Sequence, residues 1–200
     1  MEKKEVVKQT ALAFDFIQKL YFEVSYLIKE IEGLLAEEDE RFIIGRPSGY
    51  AITARSSSGL EPNGVILWAL KKMSVCFITE EQTKLKGGVT NTVFDKNLRV
   101  IYLRIVLNEK EISEPYIYMG VLYDFEDKKR RWPAKFEHVM AHIEYNESKV
   151  FTGKEVFNYA DSYTSFKGKL VKVNLYDINS SEDIVRLILT PVLTLYRETN

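Results

Sequence analysis

The first forty residues carry apolar side chains at helical spacing. One stripe recurs every seven residues, with further apolar residues three positions later, and only Thr10 interrupts it. This stripe consists of Val7, Phe14, Ile17, Tyr21, Val24, Ile28, Ile31 and Leu35. A second stripe runs one position ahead of it and consists of Val6, Ala13, Leu20, Leu27 and Leu34. The pattern predicts a helix over 3–38 whose apolar face is wider than a two-stranded coiled coil requires.

The predicted helix is long for a chain of this size. About 35 residues give a rod of about 50 Å, whereas a globule of this length has a diameter of about 43 Å. One neighbour within the chain can cover only part of so wide and long a face. We therefore expect assembly, either as a homodimer across a two-fold axis or with another protein. The expected contact residues are Phe14, Ile17, Tyr21, Val24 and Ile28.

Beyond residue 40 the hydrophobic period becomes that of strands. Short strands are predicted over 49–55, 65–70 and 73–79, with turns rich in Gly, Ser and Pro between them. The strongest predicted pair is 98–108 with 116–125. We place Ile101, Leu103, Ile105, Leu107, Ile117, Met119, Val121 and Tyr123 on one face of this pair, and Tyr102, Arg104, Tyr116 and Tyr118 on the other.

The last seventy residues predict helix, strand and helix. Pro133 suits the first turn of a helix ending near Tyr145, and 169–177 alternates as a strand. Ser180 and Asp183 form a capping pattern for a last helix, in which Pro191 is expected to cause a kink or a break. This helix is apolar on most sides, so we expect it to pack on the first helix with the sheet behind both.

These elements predict a single α+β domain over 1–200. The long helix occupies 1–40, a mainly antiparallel, hairpin-rich sheet occupies 41–130, and helix, strand and helix occupy 131–200. Adjacent hairpins, rather than alternating strands and helices, favour the antiparallel sheet. The sheet is expected to pack against the N-terminal helix and the hydrophobic C-terminal helix.

Composition narrows the class of protein. The chain has 200 residues, is 46% hydrophobic and has a net charge of −1, which excludes a disordered protein and a globally basic one. Charge is uneven, since residues 1–40 carry a net −5 and residues 41–110 a net +6. The basic segment either complements the acidic helix or takes an anionic ligand. The lone Cys76 and the lack of about 18 consecutive apolar residues predict a cytoplasmic protein with no membrane partner.

Motifs for catalysis are poorly matched. Gly59 and Gly64 have the spacing of a phosphate loop, but Val65 and Ile66 stand where its Lys and Ser or Thr belong. His138 and His142 are four residues apart, as in a zinc site, yet a helical wheel places them towards solvent. The sequence therefore predicts no catalytic residue, no metal ligand and no cofactor, and it leaves open a small-molecule enzyme whose catalytic residues are dispersed along the chain.

Two features keep nucleic-acid binding as the alternative function. The basic candidates for phosphate contact are Arg46, Arg55, Lys128, Lys129, Arg130 and Arg131, with Trp132 available for base stacking. Glu114 and Glu126 have the residue types of a metal-dependent nuclease but lie at opposite ends of one strand. The basic run fits a solvated turn better than a phosphate site. The face with Tyr102 and Arg104 fits a surface covered by a helix better than an open stacking platform. The leading hypothesis is a non-catalytic interaction or regulatory module that assembles through its first helix.

Overall fold

The computed structural model describes residues 3–44, 72–86, 89–92, 96–108, 114–128, 156–162 and 164–199. Its strands are β1 (Phe42–Ile44), β2 (Lys72–Thr79), β3 (Thr83–Lys86), β4 (Val89–Thr92), β5 (Val100–Val106), β6 (Tyr116–Asp127), β7 (Val156–Ala160) and β8 (Thr164–Asn174). The helices are α1 (Lys3–Ala36), α2 (Ser181–Ile184) and α3 (Thr190–Glu198), and a π-helical turn over Val185–Leu189 joins α2 to α3. We call 181–198 the C-terminal helix.

Within these residues, six strands form one antiparallel sheet. Their order is β1-β2-β5-β6-β8-β7, and β3 pairs with β4 in a separate hairpin. The predicted pair of strands is confirmed: β5 and β6 are antiparallel neighbours at the centre of the sheet. The α+β class with a long N-terminal helix, an antiparallel sheet and a C-terminal helix is therefore confirmed.

One face of the sheet packs against both helices. The second half of α1 and the C-terminal helix join β2, β5 and β6 in a single buried cluster. The central strands contribute Ile101, Leu103, Ile105, Ile117, Met119 and Val121, and the helices contribute Val24, Ile28, Ile31, Leu35, Ile188, Val192 and Tyr196. The face assignment made from alternation is thus confirmed. Tyr196 joins the layers by packing edge-on against Phe42, with ring centroids 4.9 Å apart.

The other face of the sheet is also buried. It carries Cys76, Val100, Tyr102, Tyr116, Tyr118, Leu122, Phe157, Tyr159, Phe166 and Leu170. The aromatic rings of this face contact one another, as Phe125 stacks on Phe166 at a centroid distance of 5.5 Å. Burial of Cys76 agrees with its expected role as a small apolar side chain.

Strand β6 contains a bulge where it leaves the centre of the sheet. Two residues of β6, Asp124 and Phe125, lie opposite one residue of β8, and Asp124 has a positive φ of 54°. Aspartate tolerates this left-handed conformation better than most residues. Its carboxylate also accepts a hydrogen bond from Lys167 Nζ at 2.7 Å, so the bulge has a local ion pair across the two strands.

Several elements differ from the sequence prediction. β8 begins five residues before the predicted strand 169–177 and ends at Asn174, whose side chain accepts a hydrogen bond from the backbone N–H of Tyr176 and starts a 3₁₀ turn. β7 was not predicted, so the described part of 131–200 contains two strands. The predicted strands 49–55 and 65–70 and the predicted helix 133–145 lie outside the described residues.

The C-terminal helix continues through Pro191. The irregularity lies in the preceding turn, where the N–H of Thr190 bonds to the carbonyl of Val185, five residues back. A proline in an α-helix clashes with the carbonyl four residues earlier, and a widened turn relieves that clash. Pro191 therefore produces a π-helical turn and no break.

The predicted cap of the C-terminal helix is confirmed. Ser180 Oγ accepts from the N–H of Asp183, and the Asp183 carboxylate accepts from the N–H of Asn179 at 3.1 Å. Arg186 donates to the same carboxylate at 2.7 Å. The hydrogen bond from Arg186, followed by those from Asn179 and Ser180, lowers the pKa of Asp183 below its ordinary value.

We expect this cap to make the protein less stable in acid. Because the folded pKa is lowered, the stabilisation by Asp183 is complete above the unfolded pKa of about 4 and is lost as pH falls through the folded value. Asp183→Asn should therefore reduce the fall in melting temperature between pH 5 and pH 2.5, measured by circular dichroism. Arg186→Gln removes the largest cause of the shift and should reduce the same fall. If the melting temperature of both variants falls between pH 5 and pH 2.5 as much as that of the unaltered protein, this role is contradicted.

Candidate interaction surface

Helix α1 divides into a half that is exposed on all sides and a half with one buried face. Every residue of 4–16 is exposed, Ile17 and Tyr21 are half-buried, and Val24 is the first fully buried residue. We call 4–16 the arm. At 1.5 Å per residue its 13 residues extend about 20 Å. The first part of α1 is therefore exposed to solvent, whereas the second part packs on the domain.

The arm continues the apolar stripe that packs on the sheet. Val6, Ala13, Ile17, Val24 and Ile31 follow one another at intervals of seven, four, seven and seven residues, which places them on one side of a helix. Val24 and Ile31 use this side to contact the core. The arm therefore carries an apolar stripe on the same side of the helix, but in the arm this stripe is exposed to solvent.

The exposed side chains of the arm are large. Phe14 and Phe16 are each 64% exposed, and they flank the stripe on its two sides. Val6, Val7 and Leu12 are exposed as well. Single exposed apolar residues are common on protein surfaces, whereas a contiguous group of this size marks an interaction site. This is the strongest candidate surface among the described residues.

Polar residues of α1 bond within the helix. Gln9 donates to Glu5 at 3.0 Å, and Lys19 forms an ion pair with Asp15 at 2.8 Å, both across one helical turn. Each such pair stabilises an exposed helix by about 0.2–0.5 kcal/mol. Thr10, the polar residue within the stripe, donates its hydroxyl to the carbonyl of Val6 at 2.8 Å. Its hydroxyl therefore has a partner even if the stripe becomes buried.

The residues predicted to form the assembly contact fall into two groups. Phe14 is exposed, and Ile17 and Tyr21 lie at the border between arm and domain. Val24 and Ile28 lie in the core of this chain, 2% and 4% exposed. Of the five, Phe14 is the one that is exposed. Sequence reasoning omitted Phe16 and Leu12 because it followed seven-residue repeats, although their exposure adds to the same surface.

The face with tyrosines and an arginine is buried. Arg104 is 2% exposed, its Nη1 donates to the Tyr102 hydroxyl at 3.4 Å, and it lies between Ser74 and Tyr118 on the neighbouring strands. Lys172 lies over the ring of Tyr116, with Nζ 4.2 Å from the centroid. Stacking of nucleic-acid bases requires open rings, so this face does not offer a stacking platform.

The basic candidates are only partly described. Lys128 is half-buried, and its Nζ donates to the backbone carbonyl of Asp161 at 3.4 Å. The other six candidates lie outside the described residues; they are Arg46, Arg55, Lys129, Arg130, Arg131 and Trp132. His138 and His142 lie outside them too.

The turn that Lys128 contacts is organised by one carboxylate. Asp161 accepts from the Tyr159 hydroxyl and from the backbone N–H of Thr164, each at 2.8 Å. Burial, together with this hydrogen bond, raises the pKa of Tyr159 to about 12. Tyr159 therefore remains protonated at neutral pH and acts as a hydrogen-bond donor in the turn, not as a base.

The acidic candidates lie at opposite ends of β6. Glu114 accepts a hydrogen bond from the Asn174 side chain at one end, and Glu126 accepts from Ser165 Oγ at 2.9 Å at the other. The strand between them has 12 residues, about 40 Å at 3.3 Å per residue. The two carboxylates therefore do not share one ion. Among the described residues, no group of three or more His, Cys, Asp or Glu side chains could hold a metal.

Comparison with known proteins provides no relative. No family model, no curated protein and no solved structure matches the chain. Within the described helices, none is both long enough and apolar enough to cross a membrane. The functional argument therefore depends on the geometry of this chain.

Proposed function

We propose that this protein is a non-catalytic interaction module whose arm docks on protein. The observation that carries the proposal is the exposure of an amphipathic helix of 13 residues that continues the apolar stripe of the domain core. The second half of α1 anchors it, because one face of that half, with Val24, Ile28 and Ile31, is buried in the main core of the domain. The arm therefore leaves the domain from a fixed point, and its surface is open to a partner.

The chemistry of the arm favours a protein partner. Its apolar side chains resemble the buried centre of a protein interface, which is rich in aromatic residues and poor in charge. Its four charged residues are Lys4, Lys8, Glu5 and Asp15, so its net charge is zero. A helix that binds anionic membranes or nucleic acid needs an excess of basic residues. We keep the cytoplasm as the proposed location, since the chain has a single cysteine, Cys76, and that side chain is buried.

Photocrosslinking in the native cell tests the proposal. A benzoylphenylalanine placed at Phe14 should become linked to protein, because the partner covers this side chain. The matched control position is Tyr176, which is 60% exposed, close to the exposure of Phe14, but belongs to a 3₁₀ turn and not to the arm. Position 176 should yield little crosslinked product. Equal yields at the two positions would overturn the proposal that the arm is a docking surface.

A further inference from the structure

We infer that the partner of the arm is a second copy of this chain, packed antiparallel to the first across a two-fold axis. The inference depends on the proposed function and names its partner. The stripe of the arm, formed by Val6, Thr10, Ala13 and Ile17, faces the same stripe of the other copy. Each copy thereby covers the apolar surface that the other leaves exposed.

Steric exclusion sets the direction of the two helices. The stripe of the arm faces the same side as the sheet, because Val24 and Ile31 on that stripe contact the core. Packed helices lie about 8–10 Å apart. In a parallel pair, the sheet of the second copy would overlap the space occupied by α1 and the sheet of the first copy. In an antiparallel pair the two domains lie at opposite ends of the paired arms, so they do not collide.

The spacing of the stripe matches an antiparallel pair. Its intervals are four, three and four residues, which read the same in both directions along the chain. Val6 can therefore lie opposite Ile17 of the second copy while Thr10 lies opposite Ala13, and the two-fold axis repeats both contacts. Phe14 then lies beside the stripe at the height of Val7 and Thr10 of the second copy. A single surface thus complements itself, as a two-fold interface requires.

The polar member of the stripe does not oppose burial. The Thr10 hydroxyl already donates to the Val6 carbonyl within its own helix, so covering it leaves no unsatisfied donor. The small side chain of Ala13 opposite Thr10 lets the helices approach closely. The charged residues Lys4, Lys8 and Asp15 lie on the far side of the helix and stay in water.

The apolar area is on the scale of a small interface. Each phenylalanine can bury roughly 150–250 Å², and the two in the arm are 64% exposed. They alone provide about 200–300 Å² for each chain, to which Val6, on the stripe itself, adds. A standard interface buries about 800 Å² for each partner, so the two phenylalanines supply about a third of that area. The zero net charge of the arm allows two copies to approach without repulsion.

Light scattering of the purified full chain across concentrations tests self-association. The expected mass at high micromolar concentration is twice the 23.3 kDa of one chain. Ala13→Glu places a charge in the stripe and should return the mass to that of one chain. The matched control is Ala11→Glu, the same substitution on the same exposed helix but on its far side, which should leave the dimer intact. A single-chain mass for the unaltered protein at all concentrations would overturn the inference, as would equal effects of the two substitutions.

Disulfide crosslinking tests the direction of the pair. In a Cys76→Ala background, a mixture of Val6→Cys and Ile17→Cys chains should form a crosslinked dimer under oxidation. Val6→Cys alone should not, because antiparallel packing separates the two copies of residue 6 by about 16 Å along the helix, too far for a disulfide. Efficient crosslinking of Val6→Cys alone would indicate a parallel pair and overturn the antiparallel arrangement.

Failure of this inference is distinguishable from failure of the proposed function. A monomeric purified chain whose position 14 becomes linked to a different protein in the cell would overturn self-association and leave the docking function standing. No crosslinked protein at position 14, together with a monomeric chain, would overturn both.

Discussion

Replacing Gly120 with alanine should destabilise the protein more than any other single-methyl change among the described glycines. A Cβ at this position would lie 2.0 Å from the backbone oxygen of Lys169 and 2.6 Å from the Cα of Leu170. Both atoms belong to the backbone of β8, so relief requires separation of two paired strands, β6 and β8. Overpacking costs about 1–3 kcal/mol when side chains can adjust. We expect a loss of more than about 3 kcal/mol in the free energy of unfolding, measured by urea titration.

Gly33→Ala provides the matched control for this prediction. Gly33 lies in α1 with no atom within 4 Å of the added Cβ, and alanine favours a helix over glycine by about 0.5–1 kcal/mol. The same methyl group should therefore stabilise the protein at residue 33 and destabilise it at residue 120. A normal unfolding midpoint for Gly120→Ala would mean that β6 and β8 are further apart than the structure places them.

The contact at Gly120 shows why sequence reasoning found a strand but not its packing. Met119 and Val121 alternate with their neighbours strongly enough to predict β6 despite the glycine between them. The reason for the glycine lies in β8, some fifty residues later, which pairs Gly120 with Leu170. Local periodicity contains no information about which strand becomes the neighbour. The elements were predictable here, and the close approach between them was not.

The missed strand β7 has a similar explanation. Its five residues alternate between exposed and buried, from Val156 to Ala160, but a run so short resembles many loops. It becomes a strand because β8 offers an edge to pair with, and Phe157 packs over Gly168 directly opposite. A glycine covered by a ring from the next strand is stabilised by that contact. The pairing, not the propensity of β7, therefore determines its structure.

For the candidate surface, the sequence predicted the helix but not which half of it is covered. The repeat is equally regular around Phe14 and around Ile28, because α1 is one uninterrupted helix. Burial begins at Val24 because that is where the core of the domain reaches the helix. The boundary depends on the extent of the sheet and its covering elements, which no local pattern encodes. Ile28 therefore belongs to the core of the chain, whereas Phe14 belongs to the arm.

Because α1 is divided in this way, we expect shortening a side chain to alanine to cost much stability in the second half of the helix and almost none in the arm. Ile31 is completely buried in the main core, so Ile31→Ala should lower the free energy of unfolding by about 2–5 kcal/mol. Phe16 lies in the arm and is 64% exposed, so Phe16→Ala should change it by no more than about 0.5 kcal/mol. Both variants are compared in an Ala13→Glu background, so that self-association does not contribute, and unfolding is followed by circular dichroism in urea.

The larger side chain is thus expected to matter less, because stability depends on the area that folding removes from water and not on the hydrophobicity of the residue itself. Hydrogen exchange should report the same boundary in the Ala13→Glu chain. Amides of the arm should exchange rapidly, since an exposed helix of about 13 residues is marginal in water, while amides around Ile31 should be protected to the limit set by global unfolding. A loss above about 2 kcal/mol for Phe16→Ala in this monomeric background would mean that the domain itself covers the arm. The arm would then have no surface to offer a second copy.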